Sequence, residues 1–319
     1  MKFVILGAGA LGTVIAAYLA RAGEDVSLIA RGERAKHLAA NGVTITGLED
    51  FTVPVEIITD PASLNSADVL ILAVKTYDSA DAIASVRHME VGSVFSIQNG
   101  VMKNQQLVAA FGAAHVLGCI SMIGGSIEPN GAASFVMNNP TIIGEIPGGH
   151  TDRVAEISRR FSDAGLASGT SANIMSEEWS KFVSWLGLSA LSVMTRAETY
   201  KFLSDPDSAR IAVRIMRETA QLPHELGIPL NDGPPFSMDQ IITGSEDDAV
   251  ASLQARGQAQ SKTAPSFRQS MLQDVDKGKR IEVEETFGDT IRQAKAHGIA
   301  MPTVETCYHI LAGISRLSE

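Results

Sequence analysis

The segment Gly7-Ala8-Gly9-Ala10-Leu11-Gly12 constrains this chain most, because it follows an apolar run, Phe3–Leu6, and opens a helical pattern over 10–22. In that context each glycine has a mechanical use. The first permits a tight turn, the second lets main chain approach a pyrophosphate, and the third allows close packing of helix on strand. The phosphate then lies at the helix N-terminus. Lys2 followed by apolar residues through Ala20 imitates a signal peptide or membrane span, but three glycines interrupt the run and a second strand, Val26–Ala30, follows Ala22-Gly23. A strand–turn–helix–strand unit accounts for all of this.

Through residue 172 the chain alternates strand-like runs (Phe3–Leu6, Val26–Ala30, Val69–Val74, Val94–Ile97, Val116–Cys119) with helical segments near 10–22, 78–87 and 102–111. The alternation predicts an α/β N-terminal Rossmann domain with a doubly wound, mainly parallel sheet. Short runs at Ser134–Met137 and Thr141–Gly144 predict antiparallel strands on the sheet edge, and Thr151–Ala164 a last helix. Beyond 172 long helical patterns near 175–195, 205–226, 246–255, 264–297 and 303–317 predict an all-α C-terminal domain, punctuated by a loop at Gly227, Pro229, Gly233, Pro234 and Pro235. The expected domains are 1–172, binding the dinucleotide, and 173–319, a helical substrate and dimerisation domain.

The 319 residues are enough for two cores, and a net charge of −10 excludes broad attraction to nucleic acid or anionic lipid. Phe182–Thr195 is too short to cross a bilayer and reads as a buried helix. The two cysteines, Cys119 and Cys307, form no C-x-x-C pair and the seven histidines have no metal-ligand spacing, so no disulfide scaffold or metal is expected, and a reducing, cytoplasmic setting fits.

The end of the second strand bears on the cofactor. An NAD enzyme usually carries Asp or Glu there; here Ile29-Ala30 leads into Arg31, with Arg34 close behind, which favours the 2′-phosphate of NADP although Glu33 dilutes the signal. Two further strands end in Lys75-Thr76 and Asn99-Gly100, where ligands of open α/β sheets gather.

Together with the helix Glu178-Trp179-Ser180-Lys181, the segment Ser270-Met271-Leu272-Gln273-Asp274, Glu282 and Ala296-His297-Gly298-Ile299-Ala300-Met301-Pro302, these motifs resemble the ketopantoate reductase family over essentially the whole chain. The resemblance implies reduction of a 2-oxo acid by NADPH, within pantothenate biosynthesis for the family's usual substrate. It implies Lys181 as catalytic lysine and proton donor, also touching substrate, and Ser270 as the partner of the substrate carboxylate. Gly7 to Gly12, Arg31, Lys75, Asn99, Gly124 and Glu282 are implied as cofactor contacts. The chemistry agrees, since an ammonium beside a carbonyl accepting hydride stabilises the growing negative charge and delivers a proton.

The departures concern the substrate. Four asparagine positions of the family hold Trp185, Ser189, Thr199 and Phe267 here. A site without those amides discriminates poorly in favour of a hydroxylated substrate, so the expected reaction is 2-dehydropantoate to pantoate or, in preference, reduction of a bulkier or more apolar 2-oxo acid, with Trp185 and Ser189 beside it. A non-catalytic NADP-binding sensor is the alternative reading.

Overall fold

The computed structural model describes residues 1–233 and 236–317; the expected loop positions Pro234 and Pro235 lie outside them. The chain divides into two compact units, Met1–Glu178 and Trp179–Glu319.

The first unit opens with β1 (Lys2–Leu6), α1 (Ala10–Arg21), β2 (Asp25–Ile29), α2 (Gly32–Asn41), β3 (Val43–Gly47), β4 (Phe51–Val53), β5 (Glu56–Ile58) and β6 (Ser66–Leu72). It continues through α3 (Ser79–Val86), β7 (Glu90–Ser96), α4 (Met102–Phe111), β8 (Leu117–Ile120), β9 (Ile123–Ile127), β10 (Ala133–Asn138), β11 (Thr141–Glu145), α5 (Asp152–Asp163) and β12 (Ser168–Thr170). A parallel sheet has the order β5-β2-β1-β6-β7. Alternation along β1 feeds two cores: Phe3 and Ile5 pack with α1 on one face, Val4 and Leu6 with α3 on the other. Both faces are therefore covered, which is why the strand reads as a continuous apolar run.

The antiparallel strands depart from the expected sheet edge. They form a separate sheet, β4-β3-β10-β9, and a third, β12-β11-β8, with β8 tied to β7 only by the isolated Val94–Val116 bridge. The separate β9/β10 sheet covers α1, where Tyr18 meets Phe51 and Phe135 edge-on at 5.2 and 5.3 Å. Residues Thr13 to Leu19 are consecutively buried as a result. A helix enclosed on all sides is apolar all round, which explains its likeness to a membrane span. No helix among the described residues is long and apolar enough to cross a membrane.

Helix α6 (Ile174–Thr195) runs through the division into the second unit, which contains α7 (Thr199–Ser204), α8 (Pro206–Glu225), α9 (Met238–Thr243), α10 (Glu246–Thr263), α11 (Ser270–Asp276), α12 (Asp289–Ala296) and α13 (Pro302–Leu317). Val183, Leu191, Phe202, Val213, Met216 and Leu253 share its core. Asp205 caps α8 through the Ser208 amide at 2.8 Å, with Pro206 in the first turn. The continuous helix expected over 264–297 is broken. After α11 the chain turns at Gly278, whose φ of +60° suits glycine, and resumes with a π-helical segment, Glu284–Gly288, leading into α12.

Candidate active site

In the parallel sheet the chain leaves β1 toward β2 on one side and returns to β6 on the other, so the strand order reverses at β1 and β6. Their carboxyl ends are where ligands bind in open α/β sheets. Gly7 directly follows β1 with φ +121°, and an added Cβ would lie 2.7 Å from Val74 Cγ1 and 2.9 Å from the Val74 amide nitrogen. At Gly12 it would lie 2.1 Å from the Gly7 carbonyl oxygen. Gly9 differs. It is exposed, has an ordinary extended backbone, and an added Cβ would meet only the Ala73 carbonyl oxygen, at 3.9 Å. The protein's own packing requires glycine at 7 and 12; at 9 a missing side chain leaves room for an approaching group. The turn therefore fits a dinucleotide pyrophosphate at the N-terminus of α1.

Lys75 lies three residues beyond the end of β6 and Asn99 three residues beyond the end of β7, strands that pair in parallel through Leu72 and Ser96. The buried Gln98 amide joins the two strand ends, donating to the Val74 carbonyl at 2.8 Å and the Ser79 hydroxyl at 2.7 Å. Sequence reasoning passed over the next residue of consequence, Lys103. Its ammonium is buried with the side chain 4% exposed, donates to the carbonyls of Gln98 and Cys119, and lies 3.3 Å from Glu178 Oε1. Glu178 also accepts from Asn104 Nδ2 at 2.5 Å and the Cys119 amide at 2.9 Å. The first turns of α6 are thereby anchored to the strand-end turn that carries Asn99.

Arg31 is the N-cap of α2, directly after β2; it is exposed, and among the described residues no hydrogen bond or ion pair engages its guanidinium. Glu33 pairs with Lys36 at 2.7 Å, so the acid that diluted the signal is turned to its own neighbour. Arg34 instead donates from Nε to the Ala8 carbonyl at 3.1 Å, from Nη2 to the Thr13 hydroxyl at 3.1 Å, and from Nη1 to the Gly131 carbonyl. Gly124 lies on β9, where an added Cβ would come 3.1 Å from Met137 Cβ and Cε, a tight contact to which Met137 would have to yield by a few tenths of an ångström.

In the second unit, Lys181, Trp185 and Ser189 recur every fourth residue of α6, on one helix face. Trp185 is 9% exposed and stacks on Phe182 with centroids 6.2 Å apart. Ser189 is fully buried and its hydroxyl has no hydrogen-bond partner among the described residues. Two of the four substituted positions touch: the Thr199 amide donates to the Phe267 carbonyl at 3.0 Å. The buried Gln269 side chain reaches the Thr199 hydroxyl at 3.3 Å, immediately before the exposed Ser270 at the start of α11. Glu282 is buried just ahead of the π-helical segment, a deviation that often marks functional sites. Burial pushes the Glu285 carboxyl in that segment above its usual pKa.

A surface hollow lined by Ser66, Arg87, Glu90 and His115 sits at the amino ends of β6 and β7, the edge opposite the glycine turn, and takes no part in this arrangement. Among the described residues no group of His, Cys, Asp and Glu is placed to hold a metal ion.

The ketopantoate reductase PanE/ApbA profile matches residues 3–148, and the C-terminal profile of the same family matches 173–315. The 2-dehydropantoate 2-reductase of Pyrococcus abyssi is 30% identical over 95% of this chain and 94% of its own. A PanE/ApbA family ketopantoate reductase from Ralstonia eutropha JMP134 superposes with a TM-score of 0.84 at 25% identity, covering 100% of this chain and 99% of that one. D-mandelate dehydrogenase, in a ternary structure with NADH and anilino(oxo)acetate, shares the fold with a TM-score of 0.83 at 17% identity, covering 100% and 99%. Matches of this extent, over an architecture with the glycine turn at the reversal of strand order, show that the chain belongs to the ketopantoate reductase family, pyridine-nucleotide-dependent oxidoreductases acting on CH–OH groups.

Proposed function

We propose that this protein reduces a 2-oxo acid to the 2-hydroxy acid with NADPH, and that its best substrate has a more apolar side chain than ketopantoate. The observation that supports the cofactor assignment most is the glycine turn, whose middle glycine is demanded by nothing in the protein's own packing. Because the same fold in D-mandelate dehydrogenase is seen with NADH, the nucleotide preference rests on local chemistry. An unpaired Arg31 stands after β2 where NAD enzymes place a carboxylate, and a guanidinium suits the 2′-phosphate.

When bound, the reduced nicotinamide supplies the hydride. The Lys181 ammonium stabilises the negative charge that grows on the substrate carbonyl oxygen and gives it a proton. The Ser270 hydroxyl binds the carboxylate, and Glu282 orients the lysine. Lys75, Asn99 and Gly124 complete the cofactor contacts. In this reading residues 1–172 hold the nucleotide and 173–319 supply the substrate groups and a homodimer contact, the latter checked by light scattering. Trp185 and Ser189 stand where the family places amides. The face of an indole ring offers apolar surface where the family offers an amide, and a side-chain hydroxyl of the substrate buried against it without a partner costs about 1–3 kcal/mol.

A panel of 2-oxo acids followed at the NADPH absorbance tests the reading. Turnover is expected to be fastest on an unhydroxylated, apolar member, and Lys181→Ala is expected to lose roughly 10²–10⁴ in kcat while binding NADPH as before. NADPH binding without turnover on any member would refute catalysis in favour of a sensor.

A further inference from the structure

We propose that Arg34 is a positioning residue for the cofactor, fixing the glycine turn and supplying the positive charge against which the dinucleotide pyrophosphate is held, independently of the 2′-phosphate. The inference rests on the reading that the nucleotide lies at that turn. Arg34 sits in the first turn of α2, half-buried, and its three donor contacts converge on one place. Two grip the turn and the helix it opens: the carbonyl of Ala8, between the first two glycines, and the hydroxyl of the fully buried Thr13, which itself donates to the Ala8 carbonyl at 3.2 Å. The third, to the Gly131 carbonyl, ties in the turn between β9 and β10. One helical turn on, His37 closes over Gly131, where an added Cβ would come 2.3 Å from its ring.

All three acceptors are neutral. Among the described residues no carboxylate lies within ion-pair distance of Arg34, whereas Arg153, Arg159, Arg160, Arg210 and Arg214 each have one. Burial accordingly draws its guanidinium below the ordinary arginine pKa with no acid to offset the effect, yet arginine stays charged at any working pH. A half-buried cation bound only to dipoles keeps its attraction for an incoming anion. Arg34 thus acts at the phosphates that NADPH and NADH share, and Arg31 at the one they do not.

The test is calorimetric titration of NADPH and NADH into wild type, Arg31→Ala, Arg34→Gln and Arg34→Lys, each at two salt concentrations. Arg34→Gln is expected to weaken both nucleotides by the same factor, about ten-fold or more. It is also expected to flatten the salt dependence of Kd, whereas Arg31→Ala weakens NADPH alone. Arg34→Lys keeps the charge and is expected to recover most of the affinity, and it provides the comparison if Arg34→Gln does not fold. A loss confined to NADPH, no loss for either nucleotide, an unchanged salt dependence in Arg34→Gln, or a lysine variant as weak as the glutamine one would each overturn the proposal. Wild-type protein that binds neither nucleotide would overturn the cofactor reading, and this proposal with it.

Discussion

Removing one member of the Lys103–Glu178 pair should cost more stability than any other single polar substitution in the first unit. Both side chains are 4% exposed, so neither charge is solvated once its partner is gone. In Lys103→Met the Glu178 carboxylate keeps two donors, Asn104 and the Cys119 amide, but loses its counter-charge. Breaking a buried pair in this way typically costs about 3–5 kcal/mol, and the two surviving hydrogen bonds point to the lower end. For a unit of this size that is a fall in Tm of roughly 6–20 °C. Lys103→Met with Glu178→Gln should cost less than the sum of the singles by about 1–3 kcal/mol, since the second change removes the stranded charge. Urea unfolding followed by fluorescence is suited to this, because the chain's two tryptophans, Trp179 and Trp185, both lie on α6 and Trp179 adjoins Glu178. A Lys103→Met variant within about 1 kcal/mol of wild type, or additive singles, would refute the reasoning.

Gly9→Ser should leave Tm almost unchanged, since serine also caps helices well, yet weaken nucleotide binding at least ten-fold, whereas Gly12→Ala should destabilise the fold itself; calorimetry and thermal melts separate the two. Hydrogen bonds from Arg153 hold the Glu145 carboxyl below its usual range, so the pair's contribution is present above the unfolded glutamate pKa of about 4.3 and lost as pH falls through the lower folded value. Urea titrations should therefore show wild type and Arg153→Met converging toward pH 3, and an unchanged gap would sink the idea. Cys119 and Cys307 are both buried, and burial pushes the Cys307 thiol up to about 11, so a thiol reagent at pH 8 should react with the denatured chain and spare the native one. In Trp185→Asn, kcat/KM for ketopantoate relative to an unhydroxylated analogue should rise; an unchanged ratio would place the indole in the helical core instead.

What the residue pattern reveals depends on where each element's partners lie. The parallel sheet was legible because β1 and β6 are apolar on both faces and the glycine turn marks where β1 ends. Strands β3 and β4 were not, since β3 completes its sheet only with β10, about ninety residues on, and neither is apolar throughout. The break in 264–297 was hidden for another reason. Met271, Leu272, Val275, Val283 and Phe287 keep a helical spacing across it, and only the left-handed Gly278 shows that the chain turns. That the glycine turn, Lys75 and Asn99 follow the carboxyl ends of β1, β6 and β7 was legible, because the glycine spacing and the ends of apolar runs mark those places in the sequence. The contacts of Lys103 and Arg34 were not, because their principal acceptors are main-chain carbonyls, and no residue type announces where a carbonyl points.

That difference bears on how a chain of net charge −10 attracts an anionic cofactor. Overall charge works against the encounter, so the attraction must come from cations placed locally and left uncompensated. Lys103, Arg31 and Arg34, three of the cations around the strand ends, differ in this respect. Lys103 is neutralised by Glu178 and serves to hold α6 and the Asn99 turn in place. Arg31 is exposed and unpaired, and salt screens an exposed charge most. Arg34 is half-buried, bound to neutral oxygens at the glycine turn itself, and screened less. On the proposed reading, how far each cation is neutralised, not their number, decides which phosphate it would meet: the paired lysine would shape the site, the sheltered Arg34 would hold what every dinucleotide carries, and the open Arg31 would distinguish one dinucleotide from another.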